Sequence, residues 1–166
     1  MKKIIFAAIM MLLAPLTMSA QKFGHFNSTE LVPLLPEYVT AQSELQNLAK
    51  QYEDDLKRMQ DELQKKGEEF QKEQANLLDN VRQRRQAELE DLYQRMQQSV
   101  QDNQQAYQKA QAEKMQAISE KVLGAVKQIG EAGGYVYIMD VSQGIPFINS
   151  KLSTDITPEL KKALGI

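Results

Sequence analysis

Cysteine is absent from this 166-residue chain, so neither a disulfide framework nor thiol chemistry is available to it. Tryptophan is absent too, and aromatic residues make up only 7% of the sequence, too few to suggest a large core. The single histidine, His25, has no cysteine or second histidine to share a metal with, and reads as a packed or edge residue. No nucleophile–base set can be found, and the paired acids fit solvated faces with no pocket implied around them. The chain is therefore read as non-enzymatic and without a cofactor. A positive excess is also missing. The formal net charge is −2, becoming −4 without Lys2 and Lys3, which argues against nucleic acid as a partner. Lastly, the run from Glu68 to Leu123 holds neither Gly nor Pro.

What is present begins with a leader. Lys2 and Lys3, the apolar stretch Ile4 to Leu13 and the small pair Ser19-Ala20 form the three regions of a secretory signal peptide. The apolar stretch is too short to span a bilayer, and no cysteine follows Ala20 to carry a lipid. Residues 1–20 are expected to be removed and the remainder to reside in the bacterial periplasm. Gln then dominates, filling 18 of the 75 positions from Gln42 to Gln116, with charges of both signs mixed among them. Such a composition suits long solvated helices.

The segment KFGHFN, residues 22–27, is short and β-like. Asn27 or Ser28 can cap a brief helical turn that Pro33 and Pro36 stop, and Pro36 fits the first position of a new helix. From there a heptad places Ala49, Leu56, Leu63, Phe70 and Leu77 on one line and Leu45, Tyr52 and Met59 on its partner. Leu89, Leu92, Met96, Val100, Tyr107, Ile118, Val122, Ala125 and Ile129 form a second stripe, ended by Gly130, Gly133 and Gly134. Tyr135 to Val141, apolar on both faces, reads as an inner strand, and a second short strand is expected around Pro146 to Ile148. Thr157 and Pro158 open a short terminal helix that Gly165 stops.

A single helix across the middle would separate the β segments by a rod and leave each too small to be stable. Folding it back lets them share one sheet. The tip is expected near 76–80, where Asn76, Asp79 and Asn80 can turn the chain without Gly, giving arms about 60 Å long. The fold class is α+β: a long antiparallel helical hairpin, or coiled-coil tentacle, on a small β body. The expected division is 1–20 signal peptide, 21–35 with 130–166 as body and short terminal helix, and 36–129 as arm.

KFGHFN, PEYVTAQSEL (36–45), LLDNVRQRRQAEL (77–89) and GGYVYIMDVSQGIPFINSKLSTDIT (133–157), in that order and spacing, resemble the Skp/OmpH periplasmic chaperones over essentially the whole mature chain. The resemblance implies a jellyfish-shaped homotrimer whose hairpins enclose unfolded outer-membrane β-barrel proteins, acting as a holdase without ATP. It also implies that strand residues Phe23, Phe26, Tyr135, Tyr137, Ile138 and Phe147 build the trimer body.

Within that frame Tyr52, Tyr93, Tyr107 and Met115 are candidate client contacts, because Tyr and Met adapt to varied apolar partners. Met59 and Met96 lie on the seams and are expected to pack the arm against itself. Gly67 is a candidate hinge. Arg82, Arg84 and Arg85 form a basic cluster at the tip. Nearby Glu68, Glu69, Glu73 and Asp79 cancel much of its field, so a solvated arm end is favoured over weak contact with anionic lipid. The alternative to a chaperone is a coiled-coil scaffold or adaptor of the cell envelope.

Overall fold

The computed structural model describes residues 21–166; the expected signal peptide lies outside them. Strand β1 (Lys22–Phe26) leads into a single helical turn, α1 (Ser28–Leu31), and a 3-10 turn at Val32–Leu34. Asn27 caps α1, its Oδ1 accepting the Thr29 N–H at 3.1 Å while its amide donates to Glu30 at 2.8 Å. Leu35 is extended and Pro36 occupies the first turn of α2 (Pro36–Glu73), where a missing N–H costs nothing. Helix α3 (Asp79–Gly133) follows, then β2 (Tyr135–Asp140), β3 (Ser153–Asp155) and α4 (Thr157–Leu164).

Helix α3 runs back along α2. Glu37 pairs with Lys121, Glu44 with Lys114, Lys66 with Glu88 and Glu73 with Arg85, so the numbers fall on one helix as they rise on the other. All these pairs face solvent and contribute little to stability; register comes from the apolar seam beside them. The connection differs from the sequence reading. A 3-10 turn at Gln74–Asn76 is followed by Leu77 and Leu78 in extended backbone, and α3 begins at Asp79 with no side-chain cap. Asn80 is already helical. Two consecutive extended residues reverse the chain without any left-handed position, so neither Gly nor Asn is required.

At its far end α3 passes through Gly130 and ends at Gly133, the last two of the three expected glycines making the stop. Gly130 lies against Ile138, where a Cβ would sit 3.3 Å from that side chain; its smallness serves helix–strand approach rather than termination. Gly134 takes the left-handed conformation (φ 65°) that ends the helix.

The sheet is parallel throughout, in the order β2-β1-β3. This corrects two expectations. The inner strand is β1, because β2 and β3 each use one of its edges, while the more apolar β2 lies at an edge. Pro146 to Ile148 is not a strand; the third strand is Ser153–Asp155, and Phe147 lies in the connection leading to it. Proline lacks the N–H a ladder needs, whereas the Ser153–Asp155 segment carries its full set.

One face of β1 turns Phe26 into the core, with Leu31, Leu35, Ala41, Ile118, Val122, Ala125, Ile156, Leu160 and Leu164. The core therefore joins the sheet, α1, α4 and the base of both arm helices. Two carboxylates fasten its edges. Asp140 Oδ1 accepts the Ser28 and Ser142 N–H groups at 3.1 and 3.0 Å, and Asp155 Oδ1 accepts the Thr157 N–H at 2.9 Å. Burial opposes ionisation of Asp140, but its bonds to Ser28 and Ser142 overcome this and hold its pKa below the usual value. The Thr157 bond does the same for Asp155, aided by His25 and Lys161. Groups with lowered folded pKa stabilise above the unfolded value, about 3.9, and lose that contribution as pH falls through the folded value. The urea midpoint should accordingly stay level from neutral pH to about 5 and fall below about 4. Asp140→Asn should fall less steeply; an identical acid profile in the variant would remove Asp140 from the account.

Candidate functional site

Along the arm seam, Leu45 and Ile118 are buried near the base and Phe70 and Leu92 farther out, and no residue between them is fully buried. The reason is local. Ser99 and Asn103 stand at half-buried positions on the α3 side of the seam, facing Leu48 and Tyr52, while Ala49 is exposed beside it. Small and polar residues there leave the helices underpacked. The result is an open groove of about 940 Å³ along the arm, lined by half-buried Tyr52, Leu56 and Tyr107, by exposed Ala49 and by several glutamines. Among the described residues, the Asn103 Nδ2 group is the buried side-chain polar atom that finds no hydrogen-bond partner.

Tyr52 and Tyr107, fifty-five positions apart in sequence (107 − 52), thus meet in one groove. Tyr93 and Met115 do not line it, although both are exposed on α3. Gly67 lies within unbroken α2, and a Cβ there would meet nothing within 4 Å. At the tip Arg82 pairs with Asp79 and Arg85 with Glu73 (3.1 Å), while Arg84 has no ion pair among the described residues. The basic cluster is mostly neutralised by its own neighbours. Side-chain bonding to Lys66 lowers the pKa of Glu88 and raises that of Lys66, and bonding to Lys121 lowers that of Glu37.

On the body, Phe23 and Tyr137 lie ring to ring at 4.7 Å, on the face of the sheet turned away from the core. Lys22 sits 4.1 Å above the Tyr135 ring. Phe26 is buried and Ile138 half-buried against the core, so those two serve the subunit interior. Tyr137, Val136 and Met139 on β2, with Phe147 and Leu152 beyond it, remain exposed. Leu78, which the sequence places with Leu77 and Val81 as a small apolar group at the tip, is 74% exposed there. Sequence reasoning missed Asn103, whose signal was a polar residue on an otherwise apolar stripe. Among the described residues there is no group of three or more candidate metal ligands, and no helix is long and apolar enough to cross a membrane.

The family model described as "Outer membrane protein (OmpH-like)" matches residues 22–164. A crystal structure described as an OmpH-like outer membrane chaperone from Caulobacter crescentus CB15 is similar in fold, with a TM-score of 0.74 over 87% of this chain and 83% of that one, at 14% identity. A search of curated proteins finds no match. With nearly every described residue inside the family match, and the arm-on-sheet architecture shared with a solved structure, the chain belongs to the Skp/OmpH-like family.

Proposed function

We propose that this protein is an ATP-independent holdase that binds unfolded outer-membrane β-barrel proteins in the periplasm and keeps them from aggregating, working as a homotrimer. The observation that carries the reading is the arm itself. Two long helices carry half-buried Tyr52, Leu56 and Tyr107 in an open groove, with Tyr93 and Met115 exposed beyond it, along a solvated, Gln-rich surface. Unfolded chains offer no fixed shape, and many weak contacts along such an arm sum by multivalency without selecting a sequence.

Residues 21–35 and 130–166 would supply the trimer body and 36–129 the client-binding arm. The exposed apolar residues of β2 and the 141–152 connection support pooling of sheets between copies, since large uncovered patches mark association surfaces. Contact of the arm tips with anionic lipid would be weak, given how the tip arginines are paired.

The test is to dilute a urea-unfolded outer-membrane barrel protein into nucleotide-free buffer with and without this protein. Turbidity should be suppressed at about one trimer per client, with a soluble complex seen by light scattering. Aggregation as fast as that of the client alone would defeat the reading.

A further inference from the structure

We propose that the mid-arm groove grips the main chain of an extended unfolded polypeptide through side-chain amides, rather than selecting its side chains; this rests on the holdase reading above. Four glutamines, Gln60, Gln104, Gln108 and Gln111, line the groove, and none of their side chains makes a hydrogen bond among the described residues. Elsewhere on the arms some glutamines, Gln64, Gln94, Gln98 and Gln116, donate to an acid one helical turn away, while others are as free as those of the groove. No amide at the groove is engaged in that way, so all four are available to a bound chain.

A primary amide carries two donors and a carbonyl, the same functional groups as a peptide bond. An unfolded chain exposes unpaired main-chain N–H and C=O groups at every residue, and burying these without partners is costly. Glutamine on a mobile stem can meet them at any register. Asn103 adds a second observation. Its Nδ2 is covered by the seam yet has no acceptor, so a slight parting of the helices breaks no hydrogen bond and uncovers a donor. Tyr52 and Tyr107 supply apolar walls between those polar contacts. At the outer margin Glu53, Lys57 and Asp61 make no ion pair among the described residues, and their mixed signs select no client charge.

The probe is a fluorescein-labelled peptide of about twelve residues, about 40 Å when extended. It is used beside a scrambled version and a version in which alternate amides are replaced by esters. Scrambling should change affinity by less than about twofold, and ester replacement should weaken it about tenfold, two hydrogen bonds at roughly 1 kcal/mol each with partial compensation. Gln104→Leu with Gln108→Leu, both on an exposed helical face, should weaken the amide peptide to a similar degree and abolish the difference between amide and ester. Ala49→Leu, which adds bulk to the groove lining, should weaken both peptides alike. A double variant that binds as tightly as the wild type, or an ester peptide that binds equally well, would overturn main-chain recognition. If that variant still suppresses barrel-protein aggregation, only this inference falls. If the wild type neither binds peptide nor suppresses aggregation, the holdase reading falls with it.

Discussion

Leu160→Ala should lower the unfolding free energy by about 3–5 kcal/mol, among the largest losses available to a single substitution in this chain. Among the described residues Leu31, Leu35, Ile156 and Leu160 are the largest side chains fully removed from solvent, and Leu160 shares one core cluster with Phe26 and the arm base at Ile118 and Val122. Truncation there forfeits the transfer energy of the missing carbons and leaves a cavity that sheet and helices on different sides cannot jointly close. A domain with about 5–15 kcal/mol in total would lose a large share of its stability. Urea unfolding followed by circular dichroism gives the difference directly. Leu160→Met, nearly isosteric, should cost less than about 1.5 kcal/mol. A loss below about 1 kcal/mol for the alanine variant would mean that the body is not one cooperative core.

Val136→Asp should convert the proposed trimer to monomers at micromolar concentration. Val136 is 58% exposed on the edge strand β2, beside exposed Tyr137 and Met139, and Phe147 is 78% exposed in the connection that follows. The outer edge of β2 has an unpaired row of N–H and C=O groups, and uncovered edges recruit further strands. If copies pair there, each buries Val136 against its neighbour. A carboxylate in that contact would have to be desolvated without a partner, which costs several kcal/mol, so association should weaken by about 100-fold or more. Light scattering should give three times the chain mass for the wild type and a single chain mass for the variant, with aggregation suppression lost at the same concentration. The side chain is already solvated within one subunit, so the variant should remain folded. An unchanged mass would place the interface elsewhere.

The long helices are readable because their signals are local. A run from Glu68 to Leu123 without Gly or Pro, heptad lines through Leu45, Leu56 and Phe70, and Pro36 at a first-turn position all act within a few residues of chain. The turn at Leu77 and Leu78 is harder to read, because it uses backbone that any residue can adopt and so leaves no compositional mark. The β body misleads for a related reason. Apolar character on both faces of Tyr135–Val141 suggests an inner strand, but whether a strand is central or at an edge depends on which distant segment pairs beside it, and here β3 takes the other side of β1. Asn103 shows the same limit on the arm. A polar residue on an apolar stripe is visible in the sequence, but whether it finds a partner depends on the facing helix.

From local signals alone one can expect the export leader, exclude thiol chemistry, and read the amphipathic periodicity that makes most of residues 36–129 helical. Those follow from composition and from interactions between residues three or four positions apart. Tertiary structure alone decided that β1 is central, that Phe147 lies outside the sheet, and that Tyr52 and Tyr107 share a groove with unbonded glutamines. These depend on which distant segments come together. Pairing across more than a hundred residues is set by the competition of all the apolar surfaces for one small core, a contest that no local stretch of the chain records.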